Sequence, residues 1–296
     1  MKRIVGLIIA MLALVLALAS CGGKSIESSY INDKGELILT YTDGSTENLG
    51  VVKGEQGKKG EKGDAAANEN PQGLDFYLKD DGSYVVEIGY AKYLSKIVIP
   101  ASYNGKAVTE IGKSGFISDR LVEIVIPDSV ESIGEKAFYE CTSLTSVTIE
   151  GGVKTMGDSA FRGCTSLTSV TIPDSVKTIG FGAFFSCKSL TSVTIPDSVE
   201  TIGDSAFYNC DSLASVTIPD SVVSIGEWAF DNCTSLTSVT IGNGVALIGN
   251  YAFYNCDSLT SIKYRGTKKQ WDKITNGGLS DIYTGSYTIT YNYTGE

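Results

Sequence analysis

The chain has 296 residues, with 24 Lys and Arg against 34 Asp and Glu, and therefore a formal net charge of −10. An acidic chain is a poor match for nucleic acid or for an anionic bilayer, so we expect neither to be a partner of the folded part. The sequence contains no histidine, which excludes a Ser-His-Asp or Cys-His catalytic arrangement.

The first 20 residues are predicted to be an export signal. Lys2 and Arg3 precede an apolar run over residues 4–17, and this run is shorter than the roughly 20 residues that a membrane-spanning helix needs. The following Leu-Ala-Ser-Cys, which ends at Cys21, resembles a bacterial lipobox. The resemblance implies a lipoprotein signal peptide, cleavage before Cys21 and a lipid anchor on that residue. A plain secretory signal with a cysteine near its end is the alternative.

Two short segments separate this signal from the main body. Residues 21–53 are predicted to form a polar tether and a β-hairpin, because two strand-like runs flank Asp43-Gly44. Residues 54–73 carry glycine at every third position from Gly54 to Gly63, as collagen does. Four triplets without proline are too few to hold a triple helix, so we interpret this segment as an extended linker.

The centre of the chain repeats every 23 residues. Periods of 20 to 29 with this spacing of leucines are typical of leucine-rich repeats, whose units must stack to bury their apolar faces. The repeats are predicted over residues 121–262, with an N-terminal cap containing a degenerate repeat over 74–120 and a C-terminal cap over 263–296. The period is set by two residue series: Leu121, Leu144, Leu167, Leu190, Leu213, Leu236 and Leu259, and Cys141, Cys164, Cys187, Cys210, Cys233 and Cys256.

One unit shows how such a coil would fold. In "LTSVTIPDSV" the alternation predicts a strand with Ser169 and Thr171 outward, which Pro173 ends because it lacks an N–H for the ladder. Neighbouring copies would pair edge to edge in a parallel sheet. The rest of the unit, "KTIGFGAFFSC", returns to the core through a short helical or irregular turn. The inward positions are predicted to be Leu167, Val170, Ile172, Val176, Ile179, Ala183, Phe184 and Cys187.

The full pattern, L-x-x-V-x-I-P-x-S-V-x-x-I-G-x-x-A-F-x-x-C, resembles the BspA-like leucine-rich repeat surface lipoproteins of bacteria. The resemblance implies a β-rich solenoid, right-handed and curved, with short helical or irregular convex turns. It also implies adhesion to proteins, or their binding, at the cell surface. The family has no shared catalytic motif, so no residue inherits a chemical role from it.

The six repeat cysteines allow three interpretations. We expect a column of buried thiols, because free cysteine behaves as a small buried hydrophobe. Disulfides between neighbouring coils stay open on spacing alone. A metal site is not expected, because the mixed spacings of zinc ligands are absent.

Differences between the copies point to a binding surface. The variable positions after Ile-Gly and Ala-Phe carry aromatic rings that the repeat pattern does not require, and such rings among polar neighbours are typical of protein interfaces. The alternative is that the rings shield the core. The outward Ser and Thr of the strands hardly vary, and we interpret them as a solubilising face. The candidate partner-binding residues are Phe181, Phe185, Tyr208, Trp228, Tyr251 and Tyr254.

Together these features predict a non-enzymatic adhesin or protein-binding scaffold without a cofactor. It would lie outside the cytoplasm, be anchored by lipid to the bacterial membrane, and bind host matrix proteins or a bacterial surface component. The alternatives are a structural envelope lipoprotein and a carbohydrate-binding module that uses the aromatic column. No pair of acids stands out from the repeat as a hydrolytic pair.

Overall fold

A computed structural model describes residues 26–31, 36–41, 45–51, 72–276 and 287–295 of the protein. The chain divides into two compact units, Met1–Ala65 and Ala66–Glu296. The predicted signal peptide, the lipid site at Cys21 and nearly all of the glycine-rich linker lie outside the described residues. Within the described ranges, no helix has the length and apolar character needed to span a bilayer.

The first unit contains an antiparallel sheet of three strands in sequence order: β1 (Ile26–Ile31), β2 (Glu36–Tyr41) and β3 (Thr46–Val51). The strands β2 and β3 flank the predicted turn at Asp43-Gly44. The additional strand β1 was not predicted, because its sequence IESSYI does not alternate between apolar and polar residues. Three strands give such a small element more support than a lone hairpin would have.

The second unit begins with a cap around two antiparallel strands, β4 (Asp75–Leu78) and β5 (Tyr84–Glu87), followed by a 3-10 helix over Gly89–Tyr93. The cap continues into the coils because β5 pairs in parallel with β8 (Lys106–Ile111), the first strand of a long ladder. A short strand, β7 (Ser102–Tyr103), pairs antiparallel with β8.

This ladder, which we call the isoleucine ladder, contains eight parallel strands in the described part of the chain. Its members after β8 have two residues each, and most end at the Ile that precedes the glycine present in every repeat. A strand of two residues with one apolar side chain gives little sequence signal, so this ladder was not predicted. The strands are β10 (Ser132–Ile133), β12 (Thr155–Met156), β14 (Thr178–Ile179), β16 (Thr201–Ile202), β18 (Ser224–Ile225), β20 (Leu247–Ile248) and β22 (Thr275–Asn276).

A second parallel ladder, the hydroxyl ladder, corresponds to the predicted strand of each repeat. It forms two sheets, and its register advances by 23 residues between neighbouring repeats, as in the pairing of Val170 with Val193, and by 27 residues at the two ends. The predicted parallel-strand solenoid is therefore confirmed. The first sheet contains β6 (Lys96–Val98), β9 (Glu123–Ile126), β11 (Ser146–Ile149), β13 (Ser169–Thr171) and β15 (Ser192–Thr194); the second contains β17 (Ser215–Ile218), β19 (Ser238–Ile241), β21 (Ser261–Tyr264) and β23 (Thr288–Thr290).

The core runs through the second unit as columns of identical side chains. All eight predicted inward positions of the unit from Leu167 to Cys187 are buried. The repeat phenylalanines form a continuous stack, with ring centroids 5.4 Å apart between Phe161 and Phe184 and 5.3 Å apart between Phe184 and Phe207. Each ring thus gains its burial from the two neighbouring coils, which is why a single unit would not be stable alone.

The C-terminal cap closes on a short helix, α1 (Lys268–Trp271), whose first turn is capped by Thr267 and Gln270 in a reciprocal capping box. Trp271 at its end is buried, and its ring lies edge-on to Tyr264 with centroids 5.0 Å apart. A large buried ring at this position covers apolar side chains that would otherwise face water at the last coil.

Candidate protein-binding surface

The turn between the two ladders has a regular backbone that displays the variable residues in columns. In the turn of residues 180–187, the N–H groups of Gly182, Phe184 and Ser186 donate to carbonyl oxygens of the next coil, at 2.9, 2.8 and 2.7 Å. The intervening residues Ala183, Phe185 and Cys187 close tight turns within their own coil, at 3.3, 3.0 and 3.1 Å. Equivalent side chains of successive coils are therefore held in register on a firm support.

This backbone places one variable residue of each Gly-x-x-Ala-Phe turn in the left-handed region. Gly182 occupies the position with φ of 56° and adopts this conformation without strain because it has no Cβ atom, whereas Lys136 and Ser205 adopt it with φ of 56° and 55°. Trp228 and Tyr251 occupy the same position with φ of 52° and 56°. For a residue with a Cβ atom this backbone costs roughly 1–2 kcal/mol, so the fold itself does not favour these two rings over glycine.

The six candidate rings form two clusters and one separate ring. In the first cluster, Phe185 stacks on Tyr208 with centroids 4.6 Å apart, and the Arg162 guanidinium lies 4.0 Å from the Phe185 centroid. In the second cluster, Trp228 and Tyr251 are parallel within 4° with centroids 6.3 Å apart. We call the candidate set the aromatic turn surface: Phe181, Phe185, Tyr208, Trp228, Tyr251 and Tyr254.

The six rings of this surface differ in how much of each side chain is exposed to solvent. Phe181 is 47% exposed, Trp228 is 41% exposed, and Tyr251 and Tyr254 are each 39% exposed. Tyr254 meets Tyr251 edge-on, with centroids 5.5 Å apart. Phe181 instead lines a cleft of about 500 Å³ together with Arg162 and residues of two earlier coils. Four of the six rings therefore present substantial area to solvent, whereas Phe185 and Tyr208 are half-buried.

Sequence reasoning missed the polar contacts that join neighbouring turns. The Asp158 Oδ1 atom accepts the Phe181 N–H at 3.0 Å, and Asp204 Oδ1 accepts the Glu227 N–H at 2.8 Å. These acids lie one coil before the groups they bind. A signal existed in the sequence, since Asp occupies the same repeat position in both coils, but only the fold shows which donor each carboxylate reaches.

Asp231 is a second feature that the sequence did not single out. It is only 6% exposed, although Tyr208 and Tyr254 occupy the equivalent position in the adjacent coils. Burial raises the pKa of this carboxyl from 3.8 to about 6, and Asn255 Nδ2 donates to its Oδ1 atom at 3.4 Å. A buried acid thus lies among the exposed rings.

The strand face is uniform by comparison. Ser169, Thr171, Ser192 and Thr194 are exposed on adjacent strands of the hydroxyl ladder and repeat in exact register. The preceding threonine column is used within the solenoid, since Thr191 Oγ1 donates to the Thr168 carbonyl oxygen at 3.1 Å. A face that repeats the same two hydroxyl groups offers few features by which a partner could be distinguished.

The cysteine column belongs to the core. All six repeat cysteines are free and buried, and each thiol donates to the carbonyl oxygen of a phenylalanine in the preceding coil, as Cys164 does to Phe138 at 3.1 Å. Burial raises the pKa of the Cys187 thiol strongly and that of Cys256 to about 12. These thiols are therefore not poised as nucleophiles. Among the described residues, no group of three or more Cys, Asp or Glu is arranged to hold a metal ion.

The repeats of this chain match a known family. The sequence pattern described as "BspA type Leucine rich repeat region" matches the chain in six copies, over residues 109–218 and 155–275. These two ranges together cover more than half of the chain. The protein belongs to the BspA-type leucine-rich repeat family.

Several solved structures are similar to this chain. The BspA-type chain is 30% identical to the leucine-rich repeat protein of T. pallidum, with a TM-score of 0.59 and a match covering 63% of this chain and 88% of that one. A leucine-rich cell surface protein of Faecalibacterium prausnitzii is 24% identical, with a TM-score of 0.37 and coverage of 73% and 98%. The pneumococcal vaccine antigen PcpA is 19% identical, with a TM-score of 0.37 and coverage of 73% and 82%. No curated protein matches the sequence.

Membership of the BspA-type family explains the scaffold but not the aromatic turn surface. The family pattern fixes the buried positions of the repeat, whereas all six candidate rings occupy positions that the pattern leaves free. A BspA-type solenoid is typically a non-catalytic binding scaffold. In this chain, the residues that differ most from coil to coil are the variable turn residues.

Proposed function

We propose that this protein is a non-catalytic scaffold at the bacterial cell surface, anchored by lipid at Cys21, that binds a protein ligand through the aromatic turn surface. The ligand is a host matrix protein or a bacterial surface component, so the protein acts as an adhesin or as an organiser of surface contacts. The repeat fold supports this proposal, since stacked coils hold side chains in fixed columns suited to contact another protein.

One observation supports the site above the others. Trp228 and Tyr251 are bulky, exposed and parallel, and both occupy a left-handed backbone position that Gly182 fills without strain in another coil. Local choices that conflict with the fold are expected at functional sites. Aromatic residues are also enriched among those whose truncation costs about 2 kcal/mol or more of binding.

The test begins with the mature protein immobilised and exposed in turn to host matrix proteins, bacterial surface proteins, cell-wall polymer and glycans. Binding of a protein from either of the first two sets supports the proposal, and selective binding of polymer or glycan contradicts it. Two double variants then locate the site on the captured partner. Trp228→Ser with Tyr251→Ser should weaken binding by about 30-fold or more, since about 2 kcal/mol from even one hot-spot ring corresponds to about 30-fold.

The matched control is Thr194→Ala with Thr217→Ala, which removes exposed hydroxyls from the strand face. This pair should leave the affinity within about twofold, since single exposed hydroxyls contribute little. Circular dichroism confirms that both variants keep the strand content of the parent. Loss of binding in the threonine pair with full binding in the aromatic pair would place the site on the strand face instead.

A further inference from the structure

We propose that the segment of the partner bound by the aromatic turn surface is cationic, and that its Lys or Arg side chains lie over Trp228, Tyr251 and Tyr254. This inference rests on the proposed function, because it names the chemistry of the ligand at the same surface. Three observations support it: the charge of the turns, the position of Arg162, and the exposure of the rings.

The turns differ in charge along the solenoid. The first three repeat turns, residues 134–142, 157–165 and 180–188, contain three acids and three bases. The last three, residues 203–211, 226–234 and 249–257, contain five acids and no Lys or Arg. The acids of the last three turns are Asp204, Asp211, Glu227, Asp231 and Asp257.

The negative charge of the last three turns is partly neutralised, because the Nζ atom of Lys188 lies 3.9 Å from the Oδ2 atom of Asp211 in the next coil. The remainder acts as a group, because adjacent coils are about 4.8 Å apart and charges within about 8–10 Å are not fully screened at physiological salt. The end of the surface that carries Trp228, Tyr251 and Tyr254 therefore attracts cations and repels anions.

One contact within the protein already places a cation over a ring of this surface. The Arg162 guanidinium lies 4.0 Å from the centroid of Phe185, and Phe185 in turn stacks on Tyr208. In the described cation–ring contacts, no Lys or Arg of the chain lies over Trp228, Tyr251 or Tyr254. The first cluster thus has an internal cation, whereas the second has exposed rings, acidic neighbours and room for a cation from elsewhere.

The second cluster favours a cationic segment of the partner over an acidic or an apolar one. A cation over an aromatic face is attracted by the ring quadrupole, and neighbouring carboxylates add to that attraction. An acidic segment would meet like charge, and a purely apolar one would gain nothing from Asp204 or Glu227. Arginine fits best, because its planar guanidinium stacks on rings and also donates to carboxylates.

The test uses the full mature protein and a labelled hexa-arginine peptide, with binding measured by fluorescence anisotropy. The control peptide replaces every arginine by citrulline, which keeps the shape and removes the charge. The arginine peptide should bind at least about tenfold more tightly than the citrulline peptide. Its affinity should fall several-fold between about 50 and 300 mM NaCl, because surface charges are screened.

Matched double variants locate the effect. Asp204→Asn with Glu227→Gln should weaken binding of the arginine peptide about fivefold or more, whereas Asp158→Asn with Glu135→Gln should change it less than twofold. Both pairs remove two charges, and Asp158 and Asp204 accept equivalent backbone bonds, so the structural costs of the two aspartate substitutions are alike. Glu135 forms ion pairs with Lys113 and Lys136, so the control pair also releases these two cations. Trp228→Ser with Tyr251→Ser keeps the charges and should also weaken binding at least fivefold.

Two results would overturn the inference. One is equal binding of the citrulline peptide, and the other is an equal loss in both charge variants, which would mean diffuse attraction to an acidic chain. The outcome for the proposed function is separate. A natural partner that needs Trp228 and Tyr251, but is insensitive to salt and to the Asp204 and Glu227 substitutions, would retain the binding surface and refute its cationic ligand.

Discussion

The side chains of Trp228 and Tyr251 are parallel neighbours on adjacent coils, and both extend from backbone with φ above 50°. Relieving that backbone and losing the ring contact act in opposite directions on stability. Trp228→Gly removes a conformational cost of roughly 1–2 kcal/mol and an aromatic contact worth about 0.5–1.5 kcal/mol. We expect the free energy of unfolding to stay within about 1 kcal/mol of the parent.

The control for that measurement is Phe230→Ala, which truncates a ring of the buried stack two residues away in the same turn. This variant should lower the free energy of unfolding by about 3–5 kcal/mol, as large core truncations do. Urea denaturation followed by circular dichroism compares the two. A loss of similar size in Trp228→Gly would show that the exposed ring is a structural element, contrary to our assignment.

A pair of adjacent glycines gives a second prediction. A Cβ atom on Gly152 would overlap the carbonyl oxygen of Asp128 in the preceding coil, whereas one on Gly151 would meet open space. Gly152→Ala should therefore lower the free energy of unfolding by about 1–3 kcal/mol. Gly151→Ala should be neutral, or stabilising by less than about 1 kcal/mol. Equal thermal denaturation of the two variants would contradict the close approach of these coils.

The buried carboxyl of Asp231 predicts a pH dependence with a definite sign. Its pKa of about 6 in the fold exceeds the ordinary 3.8, so the folded state binds the proton more tightly than the unfolded state. Stability should therefore fall as the pH rises from about 4 to 7, by on the order of 2 kcal/mol from this group. Asp231→Asn should remove that part of the slope and stabilise the protein at pH 7.5.

The control for this titration is Asp174→Asn, which removes one exposed negative charge from a corner of the solenoid. The measurement is the urea midpoint of parent and variants at several pH values. An unchanged slope in Asp231→Asn would show that its carboxyl is not the group responsible.

The cysteine column predicts selective protection from alkylation. The six buried thiols should react with iodoacetamide at least about 100-fold more slowly in the native protein than in urea, because burial blocks access of the reagent to all of them. Thr171→Cys, which introduces a thiol on the exposed strand face, is the positive control. Peptide mapping by mass spectrometry locates the modified residues. Rapid native alkylation of any repeat cysteine would be incompatible with the buried column.

The lipid anchor is tested at Cys21. In a bacterial host that processes lipoproteins, Cys21→Ala should lose incorporation of labelled fatty acid and either remain as uncleaved precursor or appear in the medium. Ser20→Ala, which keeps a small residue before the cysteine, should be processed normally. Full membrane retention of the parent without lipid labelling would refute the predicted anchor.

The sequence predicted the parts of this fold in which one residue type recurs in a strongly constrained place. The 23-residue spacing of Leu167 and Leu190 was enough to predict the stacking, and the alternation around Val170 predicted the hydroxyl ladder. The isoleucine ladder was missed because strands such as Thr178–Ile179 are too short to show a period. Periodicity identifies an element only when the element contains more than one period.

The candidate residues could be proposed from the sequence, but their spatial grouping could not. Variation between copies identified Trp228 and Tyr251, yet nothing in their sequence spacing indicated that their rings would be parallel or their backbone left-handed. The burial of Asp231 was equally hidden, because the same position carries an exposed tyrosine at Tyr254. Such properties arise from contacts between coils, and the sequence of one coil does not contain them.

The backbone bonds that tie each turn to the next also fix a unit of length. The variable side chains are carried at steps of one coil, about 4.8 Å, and the cluster at Phe185 and the cluster at Trp228 start two steps apart. The proposed binding mode therefore requires a partner that presents its own contact groups at matching multiples of that step. Insertion or loss of one whole repeat between the clusters would leave every coil correctly folded and yet change the distance between the two clusters by one coil, about 4.8 Å.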